Sequence, residues 1–427
     1  MRFHAVVVAL LALLPVAEVR AAEITRIASS GEPNDPFGMY LTVRYQREQQ
    51  KAKILRETHQ ENDVQDLEEL SYLSVDNRLL LEARIGLWQD LEFRYTLPVV
   101  FSQSASWGYA SGRSAENSTV VQNCTAADGS LTDPNCPTGG AGSRPLFDVP
   151  YSSYRTGLGN MSFGLAYAVF NERKDPTKPM WIIGIDYEAP TAAMRDPTVA
   201  TSLEAPGNLG DRVHKYTLYS AFSKKLGVAD PYFRIHYSLP WRGPGYYSNC
   251  DHPDPSNMAA PGNCGTREWP RSETGIKPPH VGGVTFGVEL NAYEEPKAQQ
   301  KVALDLRVIG NYVSEGRYYN QLTDPLGKLL YTQDHAQLGG SFGVTAWAAE
   351  YLGLNATATV LYSTEHTLTE EVIGRDLDGE GGVQMPASGS TLEMNPNVDY
   401  RTDMVSRRLR LSEAFTFRID ATATFHF

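Results

Sequence analysis

His236-Tyr237-Ser238 sets an imidazole and a hydroxyl two residues apart, the side chains of a general base and its nucleophile. Asp376-Leu377-Asp378-Gly379-Glu380 sets three carboxylates at alternate positions, and hard oxygen ligands so spaced suit Ca²⁺. The four cysteines form two local pairs, Cys124 with Cys136 and Cys250 with Cys264, which could bond to each other or to a metal. The largest set is spread along the chain: Arg44, Arg78, Glu82, Arg84, Glu92, Arg94, Asp186, Glu188, Arg234, Asp305, Arg307, Arg418 and Asp420. These charges, often two residues apart, interrupt apolar runs at every second position. No phosphate-binding glycine loop, zinc spacing or nucleophile elbow occurs.

What such groups can do depends on the elements that carry them. From Phe415 the odd positions read Phe, Phe, Ile, Ala, Ala, Phe, Phe to Phe427, and the even positions Thr, Arg, Asp, Thr, Thr, His. One face is wholly apolar and the other wholly polar over thirteen residues, a period of two that suits a lipid-facing strand. Similar alternation marks Phe37–Tyr45, Arg78–Ile85, Leu91–Val99, Met161–Val169, Trp181–Glu188 and Tyr232–Leu239. Further strands are expected over Val284–Ala292, Val302–Tyr312, Leu338–Ala348 and Leu354–Tyr362. A segment from His214 to Lys224 completes twelve, although its two faces are not distinguished. Links after even strands are short and those after odd strands long, the asymmetry of a transmembrane antiparallel up-and-down β-barrel. The first long loop, about 51–67, is polar with weak helical character.

The ends and the composition agree. Arg2 and His4 precede the apolar run Ala5–Leu14, and Val19-Arg20-Ala21 supplies a small-residue exit, so residues 1–21 read as a secretory signal peptide cleaved after Ala21 or Ala22. Beyond it, no apolar run reaches the roughly 18–20 residues of a membrane-spanning helix. Residues 22–34 are expected to form a periplasmic N-terminal segment and 35–427 the barrel. A formal charge of −12 leaves no basic surplus for nucleic acid. In an exported protein the two cysteine pairs, each bracketing a polar loop, read as disulfides worth about 3 kcal/mol each.

In a barrel, alternation turns the charged set inward as lumen-lining residues, His236 with them. Twelve strands fall between the side-chain-filled eight and the aqueous sixteen. The inward charges could form a salt-bridge network that plugs the bore or a polar channel that orients a solute. His236 and Ser238 then face away from lipid, and Leu239-Pro240 follows where a barrel phospholipase has Asn-Gly, so no catalytic residue is assigned. The acidic loop lacks the spacing and final Glu of an EF-hand loop and reads as solvated; no metal or cofactor is expected.

Three segments resemble the bacterial outer-membrane family of "meta-pathway of phenol degradation" transporter-like proteins. They are Leu91-Glu-Phe-Arg-Tyr-Thr-Leu-Pro98, Gly157-Leu-Gly-Asn160, where that family usually has Gly-Leu-Gly-Asp, and Tyr187-Glu-Ala-Pro190-Thr191. The resemblance implies passive movement of small solutes, aromatic or hydrophobic ones among them. The expected protein is a non-enzymatic channel or facilitator in the bacterial outer membrane, with lipid and a small-molecule solute as partners. Its C-terminal strand ending at Phe427 would be read by the barrel assembly machinery. The alternatives are a non-conducting surface barrel whose disulfide-tied loops bind a partner, and a membrane lipid hydrolase or protease.

Overall fold

Residues alternating between apolar and polar, rich in β-branched and aromatic types, bond here as one antiparallel ladder closed on itself. The computed structural model describes residues 22–31, 37–60, 63–121, 145–252, 261–295, 298, 300–349, 351–384 and 391–427. Twelve strands build the wall: β1 (Met39–Gln60), β2 (Asp63–Trp88), β3 (Leu91–Tyr109), β5 (Ser162–Phe170), β6 (Met180–Glu188), β7 (Val213–Ser223), β8 (Ala229–Arg242), β9 (Val281–Glu295), β10 (Gln300–Val313), β13 (His335–Ala349), β14 (Leu352–Ser363) and β16 (Leu409–His426). Short strands β4 (Tyr151–Leu158), β11 (Gly316–Tyr318), β12 (Leu330–Thr332) and β15 (His366–Thr367) belong to the long connections. β1 pairs with β16 from Tyr40↔His426 onward, and Phe427 exchanges both backbone bonds with Met39, at 2.9 and 3.0 Å.

All twelve expected strands form, and the wall follows the chain order expected of an up-and-down barrel. β7 hides its faces in the sequence because each mixes apolar with polar residues: Leu218, 55% exposed, points out beside Ser220, while Tyr219 and Ala221 pack inside with Lys215 and Thr217. The outer surface carries a band of apolar residues, with Phe417 42% and Val308 66% exposed. Exposed aromatics gather near both rims, Trp88, Tyr293 and Tyr351 by the short turns and Trp241 and Tyr312 by the long loops. A continuous apolar band between aromatic girdles matches hydrocarbon rather than water.

The first connection departs from expectation. Instead of a polar, weakly helical loop over 51–67, β1 runs for 22 residues and β2 for 26, about twice the 9–11 that cross a bilayer. Ala52, Ile54, Leu70 and Tyr72 keep a period of two on the inner face, and all four are buried. They pack with Trp107, Leu322, Leu326, Leu368, Leu409 and Leu411, a core above the wall that loops from distant parts of the chain complete.

Those loops interlock. Asn249 bridges to Leu329 and Asn397, and Trp269 donates to the Leu392 carbonyl at 2.7 Å. Arg317, 1% exposed, grips Glu371 through two bonds of 2.7 and 2.5 Å, and Asn395 donates to the same carboxylate. The Cys250–Cys264 disulfide staples the loop before β9; Cys124 and Cys136 lie outside the described residues.

Burial alone would push the Glu371 carboxyl up, but Arg317 and Asn395 overcome it and hold the group below the usual carboxylate range. A depressed folded pKa means that the stabilisation is complete above the unfolded value, near 4.3, and is lost as pH falls through the folded one. Loops 314–334 and 364–408 should therefore resist protease at pH 7 and be cut once the pH drops below about 4. Arg317→Ala, which strands a buried charge, should expose them already at pH 7 at a cost of about 3–5 kcal/mol. Equal resistance of both proteins at both pH values would count against this lock.

Candidate functional site

Because successive side chains alternate across the wall, every second residue of a strand reaches the bore. The even residues of β3 supply Glu92, Arg94 and Thr96, and those of β2 supply Arg78, Glu82 and Arg84. Arg84 and Arg94 are directly opposed in register, a repulsive arrangement on its own. Glu92, fully buried, resolves it by accepting from both guanidinium groups on one oxygen, at 2.9 and 2.5 Å.

Most of the other expected lumen residues are also coupled to near neighbours. Arg44 meets Glu82 at 3.1 Å on the next strand, Arg78 meets Asp76 at 2.6 Å, and Arg307 binds Asp305 on its own strand. Tyr232 donates to Asp305 at 2.5 Å. Asp420 takes Gln46 at 2.8 Å and Arg418 at 3.2 Å. Glu188 takes Lys215, which sequence inspection passes over at the ill-defined end of β7. The ion pairs run along a strand or between adjacent strands, and Tyr232 reaches Asp305 over Gly287 of the one intervening strand, so none of these contacts crosses the bore.

Glycines on the wall make room for the larger groups. Asp186 lies over Gly164, where an added Cβ would come within 2.2 Å of its oxygen. The Tyr219 ring covers Gly184 and the Tyr232 ring covers Gly287 in the same way. His236 lies against Gly283, while Ser238 bonds to Thr217 at 2.7 Å; the imidazole and hydroxyl are not partnered with each other. Arg234 has no carboxylate within ion-pair distance among the described residues, and stacks 4.6 Å from the Tyr219 ring centre, with Arg94 at 5.4 Å.

A cavity of about 440 Å³ opens between these groups. Its charged lining is Arg44, Arg84, Arg94, Lys215 and Arg234 against Glu82, Asp186 and Glu188, so cations exceed carboxylates. A second space of about 210 Å³ sits higher, lined by Asp76, Arg78, Gln103, Arg155, Arg195 and Asp324. There Asp324, from the loop before β12, binds Arg155 at 2.6 Å and Arg195 at 2.5 Å.

The short-turn end holds a feature with no periodic signature. Residues 22–30 lie inside the barrel rather than apart from it, with Ala22, Thr25, Ile27, Ala28, Ser29 and Ser30 all buried. Ile27 packs with Ala166, Ala168, Met180, Ile182 and Tyr219. The Ala28 N–H donates to the second Glu92 oxygen at 2.5 Å, Glu23 N–H to Glu289 at 3.0 Å, and Thr25 bonds to Ser223 at 2.7 Å. Arg84 donates to the Arg26 carbonyl, and the Arg26 guanidinium stacks 4.2 Å over Trp347. Gly38 and Gly86 touch this plug directly: an added Cβ would stand 2.2 Å from the Ser29 oxygen and 2.6 Å from Ser30 Oγ.

The three family-like segments converge on one joint of the wall. β3 pairs with β5 only up to Thr96↔Ser162 and with β4 beyond Val99. At the break Gly159 packs on Pro98, where a Cβ would approach the ring to 2.9 Å. Asn160 donates to Glu188 at 3.0 Å and to Asp211 at 3.4 Å, and accepts from the Ala192 amide; Thr191 accepts from Met161. The asparagine is thus the residue that two neighbouring carboxylates require.

Asp376, Asp378 and Glu393 bring carboxylate oxygens within 4.8 Å of one another, but those oxygens already accept Gly379, Gly381, Leu377 and Gln384 amides. The acidic loop is satisfied by its own backbone.

No family model and no curated protein matches the chain. Among solved structures it is similar to the COG4313 outer membrane channel from Pseudomonas putida F1, at 12% identity over 96% of this chain and 100% of that one, with a TM-score of 0.43. It is also similar to the Pseudomonas putida toluene transporter TodX, at 10% identity over 91% and 89% with a TM-score of 0.33. The outer membrane protease OmpT from Escherichia coli matches at 7% identity over 92% and 98%, with a TM-score of 0.28. At such values the three carry no argument about this chain, whose barrel rests on its own strand pairing.

Two substitutions test the site. Glu92→Ala leaves Arg84 and Arg94 face to face and frees the Ala28 amide, and should lower unfolding stability by about 3–5 kcal/mol in denaturant titration. Asn160→Asp gathers three carboxylates around Lys215 and should destabilise the joint by about 1–3 kcal/mol at neutral pH, with recovery on acidification. An unchanged midpoint for both variants would contradict these assignments.

Proposed function

We propose that the protein is an outer-membrane channel or facilitator for passive passage of a small solute bearing an anionic or polar group, aromatic carboxylates included, and that residues 22–30 are the part that moves to open it. The supporting observation is the cavity at the inner end of the plug, where five cations meet three carboxylates. Since its ion pairs run between neighbours on the wall, a solute can enter without breaking a bridge across the bore. Arg234, held by a ring rather than a carboxylate, is the guanidinium best able to meet an incoming anion. The apolar band and aromatic girdles favour a membrane setting, with the short turns and the plug on the periplasmic side and the interlocked loops outside.

One observation favours a second reading. The plug and the locked loops both narrow access, as suits a non-conducting surface barrel that presents its loops to a partner. Planar-bilayer recording separates the two. The intact protein should conduct weakly, and deletion of residues 22–30, or Gly86→Val, which drives a side chain into Ser29 and Ser30, should raise conductance several-fold, roughly as the population of open barrels rises. Anions should carry more of that current, and Arg234→Glu should reduce their share. If the plug-free barrel is silent, the channel reading fails and the surface-barrel reading stands.

A further inference from the structure

Asp230, the second residue of β8, is completely buried, and neither carboxylate oxygen has a hydrogen-bond partner among the described residues. Its cross-strand neighbour in register is Glu289, also buried, so two acids face each other in the wall. Like charges so placed repel, and a buried carboxylate without a counter-charge costs several kcal/mol. The cations of that corner are already engaged: Lys301 gives its ammonium to Glu289, and Lys224 holds the nearby Glu172 at 2.8 Å. What does face Asp230 is the backbone nitrogen of Ala22, which is itself fully buried and stops short of a formed hydrogen bond. One residue further, the Glu23 amide is already bonded to Glu289.

We infer that the missing counter-charge is the α-ammonium created when the leader is removed between Ala21 and Ala22, and that this buried ion pair with Asp230 is what anchors the plug in the mature barrel. The step is hydrolysis by a signal peptidase: water splits the Ala21–Ala22 amide, leaving a carboxylate on Ala21 and an amine on Ala22 that takes up a proton at neutral pH. A neutral amide with one N–H becomes a cation with three donors, beside the acid that lacks a partner. Of the two cleavage points that the leader allows, only the one after Ala21 places that cation on Asp230. Cleavage after Ala22 would place it on Glu23, whose nitrogen Glu289 already takes, and would leave Asp230 uncompensated. The precursor therefore lacks this ionic anchor for its plug, and so does a chain with an N-terminal extension. The inference rests on export and on the seating of residues 22–30, and holds whether or not the lumen conducts.

The test uses protein purified from outer membranes after natural processing. Intact mass should give a chain beginning at Ala22; a start at Glu23 would overturn the inference. An amine-reactive ester applied at neutral pH should label the wild-type N-terminus roughly tenfold more slowly than that of Asp230→Asn, because a buried ion-paired ammonium reacts only through local opening. A second variant keeps Asp230 and inserts one alanine before Ala22, so that mature chains start one residue early; its N-terminus should label as fast as that of Asp230→Asn. If Asp230→Asn does not fold, the extended chain alone decides. Wild-type labelling as fast as either variant overturns the ion pair, and since conductance is not read, the outcome is independent of the channel test.

Discussion

A sheet that closes on itself leaves no free edge, and the bonding of β1 to β16 imposes the rest of this structure. Once every backbone group of the wall is paired within the ring, side chains have two destinations, out or in. Within the band the outward half is apolar on all twelve strands, which obliges the ionisable groups at that level to share the interior. That interior is narrow. Charges there are poorly served by water, and most are answered by a neighbour on the same or the next strand: Arg44 by Glu82, Arg307 by Asp305, Arg418 by Asp420. Such lateral pairing satisfies the guanidinium groups without spending the bore.

Space inside is made by glycine. Where a ring or a carboxylate must lie flat on the wall, the neighbouring strand carries no side chain: Gly184 under Tyr219, Gly287 under Tyr232, Gly164 under Asp186. Gly38 and Gly86 do the same for the plug, whose backbone approaches too closely for any Cβ. The plug is in effect a ligand that the chain carries covalently. It is held by a few single hydrogen bonds, one small apolar cluster around Ile27 and a stacked Arg26. Each is individually worth of order 1 kcal/mol, a binding strength compatible with both residence and release.

The wall was legible in the sequence because its cause is local. Alternation at a period of two follows from one strand facing lipid and lumen at once, and thirteen residues from Phe415 suffice to read it. The inward positions Arg84, Glu92 and Arg94 follow from the same rule, and so does their proximity once the hairpin is drawn. What stayed hidden was long-range. Ala52, Ile54, Leu70 and Tyr72 do alternate, but the polar residues among them, Lys51, Lys53 and Glu68, mask the pattern because that part of the hairpin stands above the apolar band. Residues 22–30 have no period, since their partners, Glu92, Ser223 and Glu289, sit on three distant strands. Lys215, Asp230 and Lys301 escape notice for another reason: they lie at strand ends, where apolar flanks no longer frame the charge.

Glu92 joins the two halves of the argument. One of its oxygens neutralises opposed arginines in the wall, and the other receives the plug's Ala28 amide. If the plug withdraws, that second oxygen loses its donor, but the carboxylate keeps both guanidinium groups and needs no new counter-charge. The wall is therefore electrostatically complete with or without its plug, at least at this level. Asp230 is the opposite case, an acid complete only with the plug in place. A barrel with one plug contact indifferent to departure and another strongly opposed to it concentrates the cost of opening at the chain's own beginning. Release is then governed less by the many contacts along residues 22–30 than by the charge at Ala22.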